Sequence, residues 1–230
     1  MKKNIVLLSI ALLSIIAISF SGCSKDDATS PVVTLSGNSS VDVPLNSTYT
    51  DAGATASDDV DGTLTVTSDE STTNPNVNRA GTYTITYTAS DKAGNVGSAT
   101  RVVRVYNEAE RFEGNYNNCV DTCATTPASA FNATVTLSDS VNRLVKISNF
   151  GAFGTAVFVY ASITANTTGA AVTVSTSPNP QSLGGSALLT SIYSADSYVL
   201  SASTSSTSFK VRYVWTDGTA TDNCTSIFVR

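Results

Sequence analysis

"GTYTITYTASDKAGN", Gly81 to Asn95, is the stretch on which the fold turns. Tyr83, Ile85, Tyr87 and Ala89 recur at every second position, with Thr82, Thr84, Thr86 and Thr88 between them. Side chains of an extended chain point alternately to opposite faces, so this period of two predicts a strand half-buried in an antiparallel sheet. Asp91-Lys92-Ala93-Gly94-Asn95 then supplies a polar turn with a glycine for positive φ, and the run from Ala99 to Tyr106 returns as the second strand of a hairpin.

Working outward, "PVVTLSG" at 31–37 and "VDVPLNSTYTDAGATASDDVDGTLTVTS" at 41–68 precede this hairpin. Together the three pieces resemble the bacterial Ig-like domain of pesticidal crystal toxins and of many surface lipoproteins, over residues 31–106. The resemblance implies a small β-sandwich, and a fold of that kind does not by itself imply a chemistry. Its expected core is Val33, Leu35, Val43, Leu64, Val66, Tyr83, Ile85, Tyr87, Val103 and Val105.

Residues 107–111 are charged and lack apolar periodicity, which marks them as a linker. Beyond them, residues 112–230 form a second β-rich segment. "FNATVTLS" from 131, "RLVKISNF" from 143, "TAVFVYASI" from 155, "SYVLSAS" from 197, "FKVRYVW" from 209 and "TSIFVR" from 225 each read as a strand. No stretch holds a helical period long enough to compete. The expected fold is therefore all-β: an N-terminal Ig-like β-sandwich followed by a second antiparallel β-barrel or β-sandwich domain. Gly114-Asn115-Tyr116 and the later "VKISNFG" resemble the second domain of surface lipoproteins often encoded beside glycan-import receptor pairs. That resemblance implies a surface location and glycan handling.

At the other end, Lys2 and Lys3 precede an apolar run from Ile5 to Phe20 that carries no charge and ends in Ser21-Gly22-Cys23. The run is shorter than the ~20 apolar residues of a membrane-spanning helix and has the layout of a signal peptide, assigned to residues 1–22. Small residues before a cysteine resemble the lipobox of bacterial lipoproteins, whose signal peptidase leaves the Cys as an acylated N-terminus. The plainer reading makes Cys23 an ordinary thiol after an ordinary signal peptide. Each buried acyl methylene contributes ~0.8 kcal/mol, so two or three chains on Cys23 would hold the protein to a membrane. Residues 23–30 read as a tether, in which Lys25, Asp26 and Asp27 resemble the signal sending some lipoproteins to the outer face of the outer membrane.

Composition narrows the function. Charged residues are 13% of the chain and the net charge is −5, with few clustered cations, which argues against a phosphate-tracking groove and against nucleic acid as a partner. There is no histidine, which excludes Ser-His-Asp and Cys-His nucleophile systems and His-ligated catalytic zinc. No cofactor is implied and no catalytic residue stands out. Of paired carboxylates in the second segment, Asp196, Asp217 and Asp222 are the candidates for glycosidase chemistry, and turn positions explain them more simply. The chain reads as a non-catalytic surface protein.

Three cysteines remain after Cys23, namely Cys119, Cys123 and Cys224, and export places them in an oxidising compartment. Cys119 and Cys123 are expected past the first strand of the second segment and Cys224 at the start of the last. If those strands pair antiparallel, Cys224 bridges to one of the two and one thiol is left over. Trp215, Tyr193 and Tyr198, with Asp217 in the turn after Trp215, are the candidates for stacking on and hydrogen bonding to a sugar. Trp215 shares an apolar strand face with Phe209, Val211 and Tyr213, so a core role competes. Asp58, Asp59 and Asp61, with Asp91, are candidates for a calcium site, although they fail the EF-hand spacing and also suit turns. Asp139-Ser140-Val141 resembles a short O-glycosylation site of exported proteins. The partners left by this reading are a membrane, through the acyl chains, and either a glycan or another surface protein met at a sheet edge.

Overall fold

A computed structural model of the protein describes residues 27–71, 74–154, 157–165, 167–174, 181–192, 197–203 and 206–230, and covers the backbone alone at 174, 181, 184 and 190–192. Cys23, Lys25, Asp26, Tyr193 and Asp196 therefore lie outside the described residues. Among the described residues every regular element is a strand or a short 3₁₀ turn, and the strands form three sheets. The all-β expectation holds.

The chain gathers into two compact units. The first takes the described residues up to Thr34 with Ala54–Thr67 and Tyr87–Ala99, and the second takes Leu35–Gly53, Ser68–Thr86 and Thr100–Arg230. One sheet is formed by β1 (Val32–Leu35), β3 (Ala54–Asp58) and β4 (Gly62–Leu64), ordered β1-β3-β4. Another is formed by β2 (Ser40–Pro44), β5 (Thr67–Ser68), β6 (Gly81–Ser90) and β7 (Val96–Tyr106), ordered β2-β7-β6-β5. The hairpin read from Gly81–Asn95 is β6 and β7, and its alternation is realised: Ile85, Tyr87 and Ala89 are buried while Thr82 and Thr84 are exposed. Gly97 in β7 lets the Pro31 backbone pass, because a Cβ there would coincide with the Pro31 carbonyl oxygen.

The third sheet lies within the second unit. It comprises β8 (Gly114–Cys123), β9 (Ser129–Leu137), β10 (Leu144–Ser148), β11 (Phe158–Ile163), β12 (Val172–Val174), β13 (Gln181–Gly184), β14 (Ala187–Ile192), β15 (Tyr198–Ala202), β16 (Thr207–Thr216) and β17 (Thr221–Val229). Its order is β12-β11-β10-β9-β8-β17-β16-β14-β13, with β15 also paired to β16. The sheet curls into a half-barrel. Its β12 end is tied to β15 through backbone bonds from Val172 N to Ser197 O at 3.0 Å and from Val199 N to Ala170 O at 2.8 Å.

Aromatic residues fill the inside of the curl. Phe209 and Phe228 stack at 4.6 Å, Tyr116 meets Phe209 edge-on at 5.5 Å, and Phe150 lies 4.9 Å from Tyr213. Phe150 reaches this core because the "NFG" of the sequence motif is a tight turn: Asn149 has φ 52° and Gly151 φ 61°. A side chain at Gly151 would strike the Tyr213 hydroxyl as well as strain the backbone.

Residues 107–111 are hydrogen-bonded in place. Asn107, 2% exposed, donates through Nδ2 to the carbonyls of Ser138 and Val141 at 2.9 and 3.1 Å, and accepts the Arg143 N–H at 2.8 Å. Glu108 pairs with Arg143 at 3.0 Å.

Candidate ligand-binding surface

Of the candidates for the sugar platform, the described Trp215 and Tyr198 do not share one patch. Trp215 sits near the end of β16, half-buried, with its ring edge-on to Phe153 at 5.6 Å. It packs against the aromatic core, as its shared face with Phe209, Val211 and Tyr213 requires. Tyr198 pairs across β15 with Lys210, whose ammonium lies 4.4 Å from the ring centroid. Lys210 and Trp215 are an odd number of residues apart on β16, so their side chains leave opposite faces. They are also separated along the strand by roughly 16 Å at about 3.3 Å per residue.

Asp217 is occupied by its own turn. Its Oδ1 accepts the N–H of Ala220 at 2.7 Å, the N–H of Thr219 at 2.8 Å and the Thr219 hydroxyl at 2.8 Å. These bonds hold its carboxyl well down, at about 2. Asp222 is buried and accepts the N–H groups of Ala124 and Thr125 at 3.1 and 3.2 Å, which ties the start of β17 to the chain leaving β8. The Thr125 hydroxyl and these backbone donors hold its carboxyl below the ordinary range despite burial.

Two features had no signal strong enough to select them from the sequence. The first is an aromatic strip on the outer face of the curled sheet. Phe158, 42% exposed, and Tyr160 occupy alternate positions of β11 and meet edge-on at 5.7 Å. Lys146, opposite Tyr160 on β10, places its ammonium 4.0 Å from the Phe158 centroid. Thr134 and Thr136 on β9 continue the face, opposite Ser148 and Lys146. The alternation in "FVYASI" puts both rings outside because Val159, Ala161 and Ile163 take the inside.

The second is a buried acid. Asp121 on β8 is 6% exposed and accepts the Tyr213 hydroxyl at 3.0 Å and the Ser226 hydroxyl at 2.5 Å, both at Oδ1. Burial pushes its carboxyl up, and the two hydroxyls offset this only in part. Beside it runs the disulfide Cys123–Cys224. β8 and β17 are antiparallel with Cys123 directly opposite Cys224, the pairing that one of the two open alternatives required. Cys119 is the thiol left over and is buried. Contrary to the expected placing past the first strand, Cys119 and Cys123 both lie inside β8.

In the first unit the acidic residues divide. Asp61 is engaged by Lys92, through the ammonium at Oδ1 and the N–H at Oδ2, both at 2.7 Å, and Asp59 is exposed. Asp58 and Asp91 come together with Asp27, the first described residue, and a carboxylate oxygen from each lies within 4.8 Å of the others. Asp27 could not be grouped with them from the sequence, because it is far away along the chain and reads as tether.

Residues 33–105 match the family described as bacterial surface protein, Ig-like domain, in agreement with the resemblance drawn from residues 31–106. No curated protein matches the chain. A lipoprotein from Bacteroides thetaiotaomicron aligns over 86% of this chain and 99% of its own, at 12% identity and a TM-score of 0.35. A carbohydrate-binding module and INT domains from Clostridium perfringens, solved with GlcNAc, align over 86% of this chain and 43% of theirs, at 12% identity and a TM-score of 0.24. Neither likeness is close enough to carry an argument. Among the described residues no helix is long and apolar enough to cross a membrane.

Proposed function

We propose that the protein is a non-catalytic, lipid-anchored surface protein of the outer membrane. Its Ig-like portion acts as a spacer, and its curled sheet binds an extracellular ligand, with a glycan as the ligand class, near an import system. The Ig-like match over residues 33–105 and the disulfide support an exported, outward-facing protein. The observation that carries the binding reading is the Phe158–Tyr160 strip. A large ring left 42% exposed on a sheet whose inner face holds the aromatic core contributes little to folding, and such rings flanked by hydroxyls and a cation suit the apolar face and hydroxyl rim of a sugar.

The test uses intact cells displaying the protein, with external protease reporting exposure and an array of glycans reporting binding. Native protein is expected to be digested from outside and to hold cells on a subset of glycans. Cys23→Ala should lose both properties, whereas Phe158→Ala should remain protease-accessible and lose binding. Protection of the native protein overturns the location. Undiminished glycan binding by Phe158→Ala moves the site, with Trp215→Ala as the next variant. Surface exposure without any glycan binding overturns the ligand class and leaves the adhesive reading, in which the partner is another protein.

A further inference from the structure

Asp27, Asp58 and Asp91 converge inside the first unit, drawn from the start of the described chain, the end of β3 and the turn between β6 and β7. The hydrogen bonds around them are unevenly spent. Asp58 uses Oδ1 to accept the N–H groups of Val60 and Asp61, both at 2.9 Å, and Asp27 uses Oδ1 to accept the Thr29 N–H at 3.0 Å. The other oxygen of each, Oδ2, is fully buried and has no hydrogen-bond partner. Asp91, 8% exposed, is oriented by Asn95, whose N–H reaches Oδ1 at 2.8 Å and whose amide reaches Oδ2 at 2.7 Å. The same Asn95 amide donates to the Asp27 carbonyl at 3.1 Å, so one side chain holds two members of the trio in place.

Buried carboxylate oxygens are expected to be hydrogen-bonded or neutralised, and each exception calls for an explanation. Here two orphaned oxygens from different parts of the chain sit beside a third carboxylate. The neighbouring ammonium of Lys92 is already engaged at 2.7 Å by Asp61. We propose that Asp27, Asp58 and Asp91 form a calcium site in which the buried Oδ2 atoms of Asp27 and Asp58 are direct ligands.

Oxygens sharing one calcium ion at 2.3–2.6 Å stand at most about 5.2 Å apart, and one carboxylate oxygen from each of the trio lies within 4.8 Å of the others, inside that limit. The donors are all hard carboxylate oxygens, with no imidazole or thiolate to favour zinc or copper. Three protein carboxylates leave the remaining positions to water, which belongs to the weak class of extracellular calcium modules, with Kd about 10⁻⁴–10⁻³ M. The set differs from the four candidates read from the sequence: Asp59 and Asp61 are replaced by Asp27. Binding would fasten the segment at Asp27 onto the turn between β6 and β7.

Calorimetric titration of the EDTA-stripped protein with calcium chloride, with thermal unfolding alongside, tests the site. Native protein is expected to bind one calcium with Kd in that range and to unfold at higher temperature when loaded. Asp27→Asn and Asp58→Asn keep the Oδ1 acceptor of each turn and remove one charge, so each should weaken calcium at least about tenfold. Each should also raise the unfolding temperature in EDTA by relieving repulsion. Asp59→Asn should leave binding unchanged. The site is overturned if native protein shows neither heat nor a thermal shift with calcium, if the three variants behave alike, or if magnesium binds more tightly than calcium. Should Asp58→Asn fail to fold, Asp27→Asn alone decides.

Discussion

Arg101 occupies a position of β7 where the period of two demands an apolar residue, on the face that buries Val103 and Val105. It is 1% exposed, pairs with Asp51, and donates to the carbonyl oxygens of Asn38 and Gly53 at 3.0 and 3.2 Å. Asp51 in turn accepts the Tyr49 hydroxyl at 2.8 Å and the Gly53 N–H at 2.8 Å. The buried guanidinium and the Asp51 carboxylate thus compensate each other, and removing one strands a buried charge. Arg101→Met is expected to lose about 3–5 kcal/mol in urea unfolding, while adding Asp51→Asn should recover part of that loss because no uncompensated charge then remains. Equal losses in the single and double variants would mean that packing, not charge, sets the cost. A charged residue in a strand reads as outward by default, so neither Arg101 nor Asp121 was legible from the local pattern; their partners come from distant segments.

Among the elements, β8 and β17 show how a disulfide choice left open in the sequence is decided. Antiparallel pairing puts Cys123 opposite Cys224, whereas Cys119 lies opposite Phe131 of β9 and is buried in the aromatic core. The bridge closes a sequence separation of 101. In the chain-entropy account a loop of that size contributes about 4–5 kcal/mol, so a Cys123→Ala, Cys224→Ala double variant should unfold at correspondingly lower denaturant. Cys119→Ala should leave the bridge intact, seen as an unchanged gel shift on reduction. The strands whose alternation shows along the chain were legible, namely β6, β7, β9, β10, β11, β15, β16 and β17. Those that were missed, β12, β13 and β14, are short or bulged, with register shifts between Ser182 and Gly184 and between Leu189 and Ser191. A bulge adds one residue to one side of the ladder and erases the period by which a strand is recognised.

For the molecule as a whole, stability against pH is the sum of groups that pull in opposite directions, and the absence of histidine removes the usual titration near neutrality. Asp217 at about 2, and Asp222 and Glu108 held below their ordinary ranges by Thr125 and Arg143 respectively, contribute stability above pH ~4 that is lost as acid protonates them. Asp121 acts in reverse: burial raises its carboxyl, so its contribution falls as pH rises from the unfolded value through the folded one. At the alkaline end Tyr49 is pushed up to about 12 by burial and by its bond to Asp51, so stability falls above the ordinary tyrosine value of 10.0, as the unfolded tyrosine ionises first. Urea midpoints are expected to form a plateau from pH ~5 to ~9, falling on both sides. Asp121→Asn should gain on the native protein progressively as pH rises from ~4. A difference independent of pH would show that Asp121 is not the group being relieved.

What the sequence determined by itself was periodic or compositional. The alternation from Gly81 to Ala89 specified the β6–β7 hairpin, the Ig-like pattern its surroundings, and the missing histidine the exclusion of whole classes of catalysis. Each of these is carried by neighbours along the chain, where side-chain direction follows from backbone geometry alone. The tertiary structure decided which cysteine pairs with Cys224, that Trp215 leans into the core while Phe158 faces out, and that Asp27 joins Asp58 and Asp91. Those outcomes depend on which distant strands become adjacent and how a sheet curls, and such contacts arise from burying the whole apolar surface at once rather than from any local stretch.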